Sequence, residues 1–194
     1  VQKLQKKGKK QLRLDLQSNG GGYLNIAIDL ADEFLSDDKL IVYTEGSKQK
    51  REDACSSKKG LFESGRLVVL VDEASASASE IVSGAVQDWD RGVIVGRRTF
   101  GKGLVQKPIP LRDGSMIRLT VSRYYTPTGR CIQKPYEAGE KEQYNRDLIE
   151  RYNRGELTNA DSIHFPDSMK YSTLETKRDV YGGGGIMPDV FVPV

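Results

Sequence analysis

Histidine is almost missing from this 194-residue chain: His164 stands alone. A Ser-His-Asp triad would have to use that one residue, which sits in a polar stretch, so a serine nucleophile here is better served by another base. Cysteine is nearly as scarce. Cys55 and Cys131 cannot complete a zinc site with a single histidine in any common ligand spacing, and nothing in the sequence argues that the two thiols meet. No apolar run approaches the roughly 20 residues that span a bilayer, and the polar, lysine-rich first residues do not read as a signal peptide. An excess of one charge is lacking too. Thirty basic against 27 acidic residues leave +3, too little to argue for nucleic acid. The five lysines between Lys3 and Lys10 read as a solvated helix face or a connector.

What is present suits one compact domain with a real core. Leu12-Arg13-Leu14-Asp15-Leu16 alternates as a half-buried strand does. Apolar residues at 24, 27, 28, 31, 34 and 35 carry helical spacing over Tyr23 to Leu35. Leu40 to Tyr43 reads as a short strand and residues 45–60 as a loop or exposed hairpin. The run Leu67-Val68-Val69-Leu70-Val71 is typical of a strand covered on both faces. An amphipathic helix follows, with Ala78, Ile81, Val82, Ala85, Val86 and Trp89 on one stripe. Val93-Ile94-Val95 is the next buried strand. Leu104–Ile109 and Met116–Tyr125 read as strands joined at Asp113-Gly114. Strands alternating with helices predict an α/β fold with a largely parallel sheet flanked by helices. Residues 136–180 turn polar and read as an insertion or surface excursion, and Val190–Val194 as a final strand.

Three turns, each after a buried strand, are the candidate sites, because α/β proteins place their chemistry at the carboxyl ends of parallel strands. The first, Asn19-Gly20-Gly21-Gly22, is either an anion cradle of backbone N–H groups or a flexible strand-to-helix turn. The second, Ser75-Ala76-Ser77-Ala78-Ser79-Glu80, is best explained locally as a capping box between Ser77 and Glu80; the functional reading is a nucleophile held at a helix N-terminus. The third, Gly96-Arg97-Arg98-Thr99-Phe100-Gly101-Lys102-Gly103, nearly matches the nucleotide phosphate loop. Gly103 stands where Ser or Thr should bind magnesium, and a strand pattern with Pro108 and Pro110 follows where a helix should open. The other reading of this loop is a partly buried lysine, since desolvation is what lets an amine act as a base near neutrality.

Taken together these motifs resemble the carboxyl-terminal processing, or tail-specific, proteases of peptidase family S41, serine peptidases with a crotonase-like and Clp-protease-like core. The resemblance covers most of 12–135 and resumes at 185–193. It centres on Ser-Ala-Ser-Ala-Ser-Glu, Gly84, Gln87-Asp88, Arg91, Val95-Gly96 and Thr99-Phe100-Gly101-Lys102-Gly103 with Val105-Gln106. Tyr125–Arg130 and Ile186–Val190 look like later family motifs. Gln17 and Gly20 depart from the Arg and Pro usual in the glycine-turn motif.

The resemblance implies Ser77 as nucleophile, Lys102 as general base and Gln106 as the residue orienting that lysine. In a strand, Lys102 and Gln106 would share a face. It also implies an oxyanion hole from the amides of Gly21, Gly22 and Ala78. No cofactor and no metal are implied. The implied partners are protein or peptide substrates with unstructured apolar C-termini and a PDZ domain elsewhere in the parent chain. Self-association is left open, nucleic acid is not implied, and the implied location is a bacterial cell envelope, the periplasm in particular. The whole chain would then be one protease core domain. Two alternatives stay open: a non-catalytic binding module on the same fold, and a core inactive without the PDZ and N-terminal parts.

Overall fold

The computed structural model describes residues 1, 3, 7–8, 10–36, 38–57, 59–136 and 141–194, the side chains of 141 and 145 excepted. The helix tail or connector expected over 1–10 falls largely outside these. Strand β1 (Gln11–Asp15) leads to helix α1 (Leu24–Asp32), and the hairpin β2 (Leu40–Gly46) and β3 (Gln49–Cys55) follows. Next come β4 (Arg66–Val71), α2 (Ala78–Asp88), β5 (Val93–Gly96) and a second hairpin, β6 (Leu104–Pro110) and β7 (Met116–Tyr125). Helix α3 (Lys141–Asn153), the short pair β8 (Lys170–Ser172) and β9 (Asp179–Tyr181), and β10 (Val190–Phe191) complete the order.

Two four-stranded sheets result. One is parallel throughout, in the order β1-β4-β5-β10, with Leu12 beside Leu67 and Val69 beside Ile94. The other is antiparallel, in the order β3-β2-β7-β6. Helix α2 touches both β5 and β2, so it lies between the two sheets. That position explains its sequence. Every residue from Ser79 to Asp88 is buried, the polar ones included. Packing at Gly84 leaves no room for a side chain: a Cβ there would stand 2.9 Å from Thr126 Cγ2 and 3.1 Å from Ile186 Cδ1.

The buried polar residues of α2 each find a partner, although Gln87 Oε1 has none among the described residues. Asp88 is ion-paired with Arg130, neither exposing more than 1% of its side chain, and its other oxygen accepts the N–H and hydroxyl of Thr128. Gln87 donates to the Met187 carbonyl at 2.8 Å and to Asp189. The stretches 125–130 and 186–190 are thus both fastened to α2. The described residues of 136–180 also pack into the body of the fold. Arg151 and Thr173 are buried, and the Leu174 N–H donates to the Asp88 carbonyl at 2.7 Å. Cys55 and Cys131 are both free thiols.

Because β1, β4 and β5 are adjacent and parallel, their three following turns lie side by side at one sheet edge. Asp72 fastens the first two. Its carboxylate accepts the N–H and hydroxyl of Ser18 and the N–H groups of Ala74 and Ser75 at 2.9 to 3.1 Å. Burial opposes its charge, but the hydrogen bonds from Ser18, Ser75 and Ala74 outweigh this and hold the carboxyl below the ordinary aspartate value of 3.8.

Two outcomes follow for the full-length parent protein. Arg130→Met leaves the Asp88 charge buried and unpaired and is expected to cost about 3–5 kcal/mol, read as a lowered denaturation midpoint. A depressed carboxyl stabilises the fold above its unfolded value and ceases to do so as pH falls through its folded value. The stability gap between wild type and Asp72→Asn should therefore hold steady from about pH 7 to about pH 5 and narrow below about pH 4. A gap independent of pH would mean that Asp72 is not charged in the folded protein.

Candidate active site

Ser77 ends the turn after β4 and caps α2, with φ 56° and ψ −111°. A positive φ on a non-glycine residue at a strand-to-helix corner is strained by roughly 1–3 kcal/mol and lifts the side chain clear of the backbone on either side. Small neighbours make the corner accessible. Gly21, at φ +117°, lies so close that a Cβ on it would meet Ser77 Cβ at 2.8 Å and the Ala78 nitrogen at 3.3 Å. Any side chain at 21 would crowd Ser77. The Asn19 carbonyl accepts the Ala76 N–H at 2.9 Å and the Ser79 hydroxyl at 3.0 Å, locking the glycine turn to the serine turn.

Glu80 joins the serine turn to the lysine turn. It is fully buried. Its Oε2 accepts two backbone amides, Ser77 N–H and Lys102 N–H, each at 2.8 Å, so these two nitrogens stand less than twice that distance apart. Its Oε1 accepts the Gly101 N–H and the Thr99 hydroxyl, each at 2.6 Å. Thr99 Oγ1 itself accepts the Ile186 N–H, so its proton goes to Glu80. Burial pushes the Glu80 carboxyl up, against the pull of these four hydrogen bonds. Four donors on two oxygens are the complement of an ionised carboxylate.

The lysine turn is held almost residue by residue. Arg97 N–H donates to Val71 O, Thr99 N–H to Ile186 O, Phe100 N–H to Ser75 O and Gly103 N–H to Gln133 Oε1. Gly101 O accepts from Lys134 N–H, and Gly103 O from Tyr124 N–H. The turn opens β6 and not a helix, which removes the phosphate-loop reading.

Ser77, Gly21, Gly22 and Ala78 are brought together; a Cβ on Gly22 would lie 3.9 Å from that of Ala78. The Gly21 N–H is taken by Asn19 Oδ1 at 3.0 Å. The amides of Gly22 and Ala78 have no acceptor among the described residues. Lys102 differs from expectation in its surroundings: its side chain is exposed, and the described residues offer its amine no partner. The fixed turn supplies the backbone position but no wall around the amine. Nor does strand parity relate Lys102 to Gln106. Lys102 precedes β6, a bulge between Val105 and Gln106 resets the alternation, and Gln106 is exposed. Sequence reasoning saw Glu80 only as the near partner of Ser77 and missed Gln133. Their contacts with residues 99–103 span about 20 to 30 positions, and no local pattern announces them.

A small apolar cavity of about 130 Å³ opens beside Gly22 and Ala78, walled by Leu16, Tyr23, Ile26, Leu30 and Val82.

The chain is similar to proteins of known type. Similar to the chain is the carboxy-terminal-processing protease of Bartonella bacilliformis, 47% identical over 121 residues that make up 62% of this chain and 28% of that protein. The carboxyl-terminal-processing protease of Picosynechococcus is 41% identical over 144 residues, 69% of this chain and 32% of that protein. Among solved structures, the photosystem II D1 C-terminal processing protease matches with a TM-score of 0.67 and 30% identity, over 98% of this chain and 36% of that one. The chain spans about a third of the length of these relatives. Residues 1–139 match the model of peptidase family S41. With all three turns inside a match that takes in most of its length, the chain belongs to peptidase family S41.

Proposed function

We propose that this chain is the catalytic unit of a serine endopeptidase that hydrolyses polypeptides through an acyl-enzyme on Ser77, with Lys102 as general base. The observation that carries this reading is the shared hold of Glu80 Oε2 on the Ser77 and Lys102 amides. Two residues 25 positions apart in the sequence are fixed to one atom, one on a strained helix-capping corner and the other on a pinned turn.

In this mechanism Lys102 Nζ takes the Ser77 hydroxyl proton as Oγ attacks the scissile carbonyl carbon. The carbonyl oxygen becomes an oxyanion at the N-terminus of α2, beside the Gly21–Gly22 turn. With the Gly21 N–H already bonded to Asn19, the Gly22 and Ala78 amides are the donors free to meet it. Lys102 then protonates the leaving amine and activates the water that releases the acyl group. Gln106 orients the lysine. The exposure of Lys102 supports a site completed by the bound polypeptide and by the rest of the parent protein, which together supply the desolvation an amine base requires. The cavity beside Gly22 has room for one aliphatic side chain and supports a preference for apolar C-terminal tails. The relatives' names specify C-terminal processing, which supports action at C-terminal tails but says nothing of their polarity. A PDZ domain in the parent captures those tails, and the parent works in a bacterial cell envelope.

The test is cleavage of an unfolded protein with an apolar C-terminus by the full-length parent. Ser77→Ala and Lys102→Ala should each lower kcat by at least about 10³-fold, and the double variant should be little worse than either single one. Variants that cut at the wild-type rate would end the proposal. Replacing Ile26 with Asp, at the cavity wall, is expected to raise KM for apolar tails by about tenfold or more while the folded state persists, since Ile26 is 56% exposed.

A further inference from the structure

Lys102 has an exposed side chain with no partner among the described residues, so its place depends on how firmly its main chain is held. Part of that hold comes from residues beyond the family-matched stretch 1–139. Helix α3 lays Tyr144 edge-on against Phe100, with ring centres 6.2 Å apart. The Lys134 amine sits 4.2 Å from both ring centres and bonds the Tyr144 carbonyl and Asp147 of α3. One turn further on, Arg151 reaches the lysine turn itself. Its guanidinium, 2% exposed, donates to the Thr99 carbonyl at 3.1 Å and to the Arg98 carbonyl at 2.6 Å. Its Nε is paired with Glu156 at 3.1 Å, and Glu156 also binds Arg98 and Arg154.

Burying a guanidinium is tolerated only where its charge and donors are matched. Here two of its donors go to consecutive carbonyls of the one turn that bears Lys102. Thr99, clamped through its carbonyl, turns its hydroxyl onto Glu80 Oε1 at 2.6 Å, and Glu80 Oε2 holds the Lys102 and Ser77 amides. A continuous line of hydrogen bonds therefore runs from α3 to both members of the proposed dyad. We infer that Arg151 is a positioning residue for Lys102, and that the segment 141–156 is a working part of the catalytic unit. The inference rests on the proposed function above. It adds that part of the hold on the base comes from outside the family-matched stretch.

The experiment uses the full-length parent with Arg151→Met and Arg151→Lys, beside Ser77→Ala and Lys102→Ala. It measures kcat and KM on an unfolded protein and hydrogen exchange at residues 98–103. A displacement of about 1 Å costs on the order of 100-fold in rate. Arg151→Met should accordingly lower kcat about 10- to 100-fold, with KM within about twofold and faster exchange at Phe100, Gly101 and Lys102. Arg151→Lys, which keeps the charge and one carbonyl bond, should recover part of kcat. Unchanged kcat and exchange in Arg151→Met would overturn the inference. So would a rise in KM alone, or a failure of both variants to fold, which would make Arg151 a core ion pair and nothing more. If the Ser77 and Lys102 variants stay active, the proposed function fails and the inference falls with it. If they are dead while Arg151→Met is unimpaired, only the inference fails.

Discussion

A buried carboxylate surrounded by donors organises this molecule. Glu80 lies at the start of α2, between two sheets, where an unmatched charge would cost several kcal/mol. Four donors from two separate turns offset that cost. Because the four come from residues 77, 99, 101 and 102, matching the charge and assembling the site are the same event. The serine turn cannot relax its strain, nor the lysine turn drift, without exposing the carboxylate to an apolar interior. Low local dielectric strengthens each of these bonds while it raises the penalty for losing one.

The rest of the architecture serves that arrangement. Parallel pairing of β1, β4 and β5 aligns three turns along one edge. Asp72 and Asn19 join the first turn to the second, and Glu80 joins the second to the third. The stretches 125–130 and 186–190 close over the C-terminal end of α2 through Asp88 and Gln87, and Glu80 fastens the end that presents Ser77. What stays open is the space around the Lys102 amine. The protein fixes the main chain of Lys102 and leaves its side chain in solvent, an arrangement suited to the proposed site if it becomes dry only when a polypeptide covers it.

Much of the fold was legible because its signals are local. Alternation at 12–16, the apolar run 67–71 and the stripe 78–89 each carry their period in the sequence, and each became the expected element. The turns were legible as turns from their glycines and serines. Their assembly was not. The capping arithmetic that pairs Ser77 with Glu80 says nothing of the carboxylate's other oxygen, which binds residues 19 to 21 positions away. Polarity misled at 136–180, where Arg151 looks like a surface charge and is buried because two carbonyls and Glu156 await it. Parity misled at Gln106, because a bulge leaves no trace in an apolar–polar pattern.

The most direct test of this account is Glu80→Gln in the full-length parent, with the cleavage rate and thermal stability measured together. Glutamine keeps the shape but offers one acceptor oxygen where the carboxylate has two, and it turns an NH₂ group toward backbone N–H donors. The account requires a rate loss of about 10-fold or more and a destabilisation of about 1–3 kcal/mol, although Ser77 and Lys102 are untouched. A Glu80→Gln protein that cleaves and unfolds like the wild type would contradict it.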